Sequence, residues 1–217
     1  MARTAVLTKE QIIQSAFNIT NKLGFENITI RAIANDLETS TAPIYTQYPN
    51  IESIYTDLEV FVDNKLKEST KVERTVDSFL NIGVGMLAFA LEYKLVFTNF
   101  YLTKDKPSFN IKKNEADFIA QMKQNPFLSI FDDERLKTIL EDMWVFTYGL
   151  ATMICTGIET SQDLNYYQSK LEQTGNRIIT YHLISSGNFE NYVHQLLEKF
   201  SKYVDMKEFF KHENTSC

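Results

Sequence analysis

Glycine and proline are scarce in this chain of 217 residues, at 7 and 4, roughly half or less of average usage. That shortage excludes folds built from many short strands and tight turns, which need these residues as punctuation. Cysteine is rarer still. Cys155, in an apolar segment, and Cys217 are too few for a disulfide framework and fit a reducing compartment. Nowhere do about 18 apolar residues run without a polar break, so no membrane span is expected. The opening MARTAVLTKEQ has no apolar core for a secretory signal, and a cytoplasmic protein is expected. An excess of positive charge is missing too. The 22 basic and 28 acidic side chains leave a net charge of −6, which excludes an indiscriminate basic coat for nucleic acid.

Catalytic signatures are equally sparse. The three histidines, His182, His194 and His212, lie late and without the carboxylate or cysteine spacing that holds zinc. The chain has no glycine-rich phosphate loop and no G-x-S-x-G elbow. Cys155 stands among Met153, Ile154 and Ile158, where burial makes a thiol inert. No catalytic residue, metal or cofactor is assigned, and an enzyme is not expected.

What the sequence does have is apolar residues at helical spacing. Its 44% hydrophobic content, with 13% aromatics, can bury a sizeable core. Thr8 as a cap and Gly24 as a stop bracket a helix over 8–23. Thr29 precedes a short helix carrying Ile30, Ile33, Ala34 and Leu37 on one face. Ser40 is the expected cap of a third, with Pro43 in its first turn, Ile44 and Tyr48 as core positions, and Pro49 and Asn50 at its end. A long helix follows from Ile51. Further helices are expected over 74–93, 94–103, 108–124, 133–157, 163–186 and 189–204. The fold class is therefore all-α, with a head over 1–50 and a larger body over 51–217.

Residues 29–48, TIRAIANDLETSTAPIYTQY, have the organisation of a helix-turn-helix, in which one helix braces on the DNA backbone and the next enters the major groove. With Gly24, Phe25, Thr29, Arg31, Ile33, Ala34, Ser40, Ile44, Tyr45 and Tyr48, the segment closely resembles the DNA-binding head of the TetR family of transcriptional regulators. The resemblance implies a homodimer that reads a double-stranded, pseudo-palindromic operator, probed by Thr29, Arg31, Ser40, Thr41, Pro43, Tyr45, Thr46 and Gln47. Side-chain chemistry agrees in part: arginine pairs with guanine or phosphate, glutamine with adenine, and threonine with backbone or base edges. Two positions depart from the family pattern. Glu38 stands where glycine commonly turns the chain, and Ile51 stands where a lysine often holds phosphate. Four basic residues (Arg3, Lys9, Lys22, Arg31) balance four acidic ones (Glu10, Glu26, Asp36, Glu38) over 1–50, so weak non-specific binding is expected.

In the body, Met86, Phe89, Tyr93, Phe97, Tyr101, Phe118, Met122, Trp144 and Tyr148 are candidate walls of an apolar ligand pocket, although core packing explains any one of them. The run Trp144 to Leu150 is similar to a Trp-x-x-x-His-Gly pattern in the sensor domain of one TetR branch, with Tyr148 in place of the histidine. Tyr93 and Tyr148 could hydrogen-bond a ligand, and Lys94 and Arg135 could meet an acid. The resemblance further implies that helices over 133–157 and 163–186 form a four-helix bundle with the partner subunit, and that a small ligand releases a repressor from DNA. A small-molecule-binding helical protein with a degenerate helix-turn-helix is the alternative.

Overall fold

A computed structural model describes residues 7–103, 111–185, 187, 189, 190, 193 and 194. Among these residues the chain is all-α, with nine helices and no strand. Helix α1 (Lys9–Leu23) opens on a capping box: Thr8 Oγ1 accepts the Gln11 N–H and Gln11 Oε1 accepts that of Thr8. Each such exchange satisfies a donor that the first helical turn leaves free. The helix closes at Gly24, whose φ of +96° only glycine adopts readily and whose N–H donates to the Thr20 carbonyl,. After a 3₁₀ turn at Phe25–Asn27 come α2 (Ile30–Asp36) and α3 (Ala42–Gln47). Thr29 caps α2 through the Ala32 N–H.

Ser40 does not cap α3. Thr41 occupies that position, in α-helical conformation and without a side-chain bond, and Pro43 follows within the first turn. Proline supplies what the missing cap does not, because its ring presets a helical φ.

Helix α4 (Ile51–Lys71) starts on Asn50, whose Oδ1 accepts the Ser53 N–H, and runs outward from the first three helices. It stops well before Gly83, with no glycine or proline to break it. Residues 72–77 are held instead by side chains. Buried Asn81 accepts the N–H groups of Arg74 and Thr75 and donates to the Thr75 carbonyl. Asp77 then caps α5 (Ser78–Glu92) by accepting the N–H groups of Phe79 and Leu80.

The helix expected over 94–103 has two parts: α6 (Lys94–Phe97) and a π-helical turn at Thr98–Leu102. The wider winding brings Phe97, Phe100 and Tyr101 all into the interior,. Helices α7 (Ile111–Met122), α8 (Asp133–Thr156) and α9 (Leu164–Ser185) complete the body. The helix expected over 189–204 lies almost wholly outside the described residues, as does His212.

One continuous apolar core extends from Ile12 to Leu183. Helix α5 is its axis, packed on α4, α8 and α9. Gly85 makes the α4–α5 crossing possible, since a Cβ there would lie 2.3 Å from the Ser69 carbonyl oxygen. The crossing is pinned by Ser69 Oγ, which donates to the Gly85 carbonyl at 2.8 Å.

Candidate functional site

The first site is the surface made by α2, α3 and the turn between them. Glu38 sits at φ +50°, a left-handed conformation that costs a non-glycine residue about 1 kcal/mol. The strain is held by two backbone bonds: Glu38 N–H donates to the Asn35 carbonyl and Thr39 N–H to that of Ala34. This is the Schellman pattern, with glutamate in the usual glycine position. It sends the chain sharply from α2 into α3.

Helix α3 is anchored from below. Ile44 and Tyr48 are buried, and Tyr48 donates to Asp57 Oδ2 of α4 at 2.8 Å. Burial, and then Asp57, pushes the Tyr48 phenol well above its ordinary pKa. With that face fixed inward, α3 turns Tyr45 (55% exposed) and Thr46 to solvent, with Thr41, Pro43 and Gln47 half-buried. Thr29, Arg31 and Ser40 are exposed beside them. The eight residues thus lie on or beside α2 and α3, although two hydroxyls have local work: Thr29 caps α2 and Thr46 donates to the Ala42 carbonyl. Ile51 is half-buried against the core.

The second site is a cavity of about 60 Å³ between α4, α5, α8 and α9. Leu66, Phe79, Ile82, Met86, Met143 and Leu171 form its apolar walls, and Gly83, which lets Leu171 of α9 approach closely, and Gly175 also line it. Thr70, Asp77, Thr147, Glu172 and Asn176 contribute the polar atoms.

Of the nine residues expected to wall a pocket, Met86 and Trp144 line this cavity and seven do not. Phe118 and Met122 are buried on α7. Phe89, Tyr93, Phe97, Tyr101 and Tyr148 belong to an aromatic seam beside the cavity. There Phe89 packs on Tyr93, Phe97 on Tyr101 and Tyr148, and Trp144 stacks with Tyr148 at 6.2 Å. These side chains fill space rather than enclose it, because their rings meet at ordinary contact distances. Lys94 and Arg135 also lie off the cavity; Arg135 donates to Ser185 Oγ on α9. The missed wall was legible in part, since Leu171, Gly175 and Ile179 share a helical face.

The seam also joins the cavity wall to the first three helices. Tyr148 donates to the Tyr101 carbonyl, and Tyr101 donates to Asp63 Oδ1 of α4 at 3.0 Å. Burial, with Asp63 adding to it, holds the Tyr101 phenol far above its usual pKa. Nearby, Phe100 packs edge-on against Phe25, which lies 4.7 Å from Tyr55 of α4, and Phe17 of α1 packs on Tyr93. Burial raises the Cys155 thiol to about 11, against the opposing pulls of Thr98 and Lys94, so it is protonated at neutral pH.

The outer faces of α8 and α9 carry exposed apolar residues: Val145 and Met153 on one, Tyr181 and Ile184 on the other. Among the described residues no three metal-ligating side chains converge, and no single helix is long and apolar enough to cross a membrane. Compared with models of known protein families and with curated proteins, the chain matches none.

Proposed function

We propose that this chain is a cytoplasmic, TetR-like transcriptional regulator, a homodimer that binds a pseudo-palindromic DNA operator and is released from it by a small, largely apolar ligand. The observation that carries the reading is the left-handed Schellman turn at Glu38 between two short helices, the second buried through Ile44 and Tyr48 and exposing Tyr45 and Thr46. A helix held this way from one side presents its other side to a major groove. Arg31 and Gln47 would pair with base edges or phosphate, and Tyr45 with phosphate. The exposed apolar stripe on α8 and α9 supports dimerisation through those helices,. A dimer would place its two reading helices on half-sites about one turn of DNA apart, roughly 34 Å.

Helix α4 supports a link between ligand and DNA. Its N-terminal cap, Asn50, adjoins α3, and Leu66 and Thr70 near its other end line the cavity, roughly 25 Å away at 1.5 Å per residue. A ligand that binds better to a tilted α4 would separate the two heads by an amount limited by that differential affinity. Selection of genomic fragments by the purified protein tests the reading. A palindromic site should be enriched, and Arg31→Ala and Tyr45→Ala should each weaken binding to it by tenfold or more while leaving the fold intact. Failure to enrich any site would leave a small-molecule-binding protein with a degenerate helix-turn-helix.

A further inference from the structure

The charged side chains that line the α4, α5, α8 and α9 cavity are of one sign, while Asn176 and Trp144 bring neutral N–H donors,. Among the described residues no lysine, arginine or histidine lines it, whereas Asp77 and Glu172 do. Asp77 is partly neutralised by the two N–H groups it accepts at the start of α5. Glu172 is exposed at the rim, with no hydrogen bond or ion pair among the described residues. The two hydroxyls in the wall spend their protons on their own helices, Thr70 on the Lys67 carbonyl and Thr147 on that of Met143. They offer the cavity lone pairs only. No buried side-chain donor among the described residues is left without a partner to receive an anion. Trp144 adds an indole, the aromatic ring that binds cations best,.

We infer that the cavity takes a lipophilic cation: an apolar body against Leu66, Met86, Met143 and Leu171, with an amine or quaternary ammonium head at the Glu172 rim. The inference rests on the reading of this cavity as the effector site and names the ligand's chemistry. Among the described residues an acid would meet two carboxylates and no cation, and would shed its hydration shell with only neutral donors to replace it,.

Trp144 is the single tryptophan of the chain, so its fluorescence reports the cavity wall directly. The full-length protein is titrated with octyltrimethylammonium, 1-octanol and octanoate, which share a chain length and differ in head charge. The ammonium should bind about tenfold more tightly than the alcohol, and the carboxylate more weakly than either. Glu172→Gln, a surface change that spares the fold, should lower ammonium affinity about three- to tenfold and leave the alcohol unaffected. Octanoate binding as well as the ammonium, no response to any of the three, or equal loss of ammonium and alcohol in Glu172→Gln would overturn the inference. Repeating the titrations with the selected DNA fragment present separates the two readings. Ammonium binding with its head preference intact, but with unchanged DNA affinity, supports the cation site and removes the effector role.

Discussion

Helices α2 and α3, of seven and six residues, spend their few buried positions on holding a surface outward. Helices α8 and α9, of 24 and 22 residues, close around an interior space. The first pair is strained and small: one left-handed glutamate, one proline, and four core side chains at Ile33, Ala34, Ile44 and Tyr48. The second has length to spare and leaves a gap lined in part by Gly83 and Gly175. The contrast shows two ways in which helices shape a surface. One exposes polar side chains on a rigid support; the other leaves a gap where helices meet. Helix α4 touches both, and substitutions along it and beside it test how separate the two are.

The largest effect is expected inside the first region. Ile44→Ala should lower the unfolding free energy by about 3 kcal/mol, the usual cost of a large-to-small core change, whereas its neighbour Tyr45→Ala should stay within about 0.5 kcal/mol. Urea unfolding of the two variants checks the split, and equal losses would mean that the inward face of α3 is misassigned.

Next comes the crossing of α4 and α5. Gly85→Ala places a Cβ against the Ser69 carbonyl and should cost about 2 kcal/mol as α4 is forced away. If it also changes DNA affinity without touching α2 or α3, the two regions communicate through α4. A stability loss alone would confine the effect to the body.

Tyr101→Phe should cost about 1.5 kcal/mol by removing the hydroxyl that meets Asp63,. It also has a pH signature. The phenol's pKa is raised in the folded state above its ordinary value of 10.0, so its stabilising contribution is complete below that pH and is lost as pH rises beyond it. Tyr48 and Tyr93, the latter pushed up to about 12 by burial and then Glu92, act in the same direction. The parent should therefore lose stability above about pH 10, and Tyr101→Phe should lose it less steeply in denaturant midpoints measured across that range.

The smallest effect is a gain. Glu38→Gly should relieve the left-handed strain and raise stability by about 1 kcal/mol, or roughly 2–4 °C in Tm by calorimetry. A loss would mean that the glutamate side chain contributes more than its backbone costs.

Much of this architecture was legible along the chain. Thr8 and Thr29 are short polar residues that precede helices and accept their free N–H groups, a rule that needs only local sequence, whereas Asp77, which caps α5, falls inside the helix expected over 74–93. Ile44 and Tyr48 were legible as core from spacing alone. The break over 72–77 was not, because its stop signal is Asn81 reaching back to Arg74 and Thr75. A side-chain bond reaching back six or seven residues leaves no glycine or proline behind to mark it. The cavity was hidden for a related reason. Aromatic residues mark where volume is abundant, and here they fill the seam at Phe97, Tyr101 and Tyr148. The space is lined instead by residues of four helices, Gly83, Thr147 and Gly175 among them.

The sequence by itself determined the helical class, most helix starts and the inward face of α3, since caps and 3.6-residue periodicity act over a few residues. Only the tertiary structure decided that Glu38 would bear a left-handed turn, that α4 and α5 would cross at Gly85, and which side chains would face a void. Those outcomes depend on the meeting of surfaces distant along the chain, where the strain or the space at one residue is set by its neighbours in three dimensions.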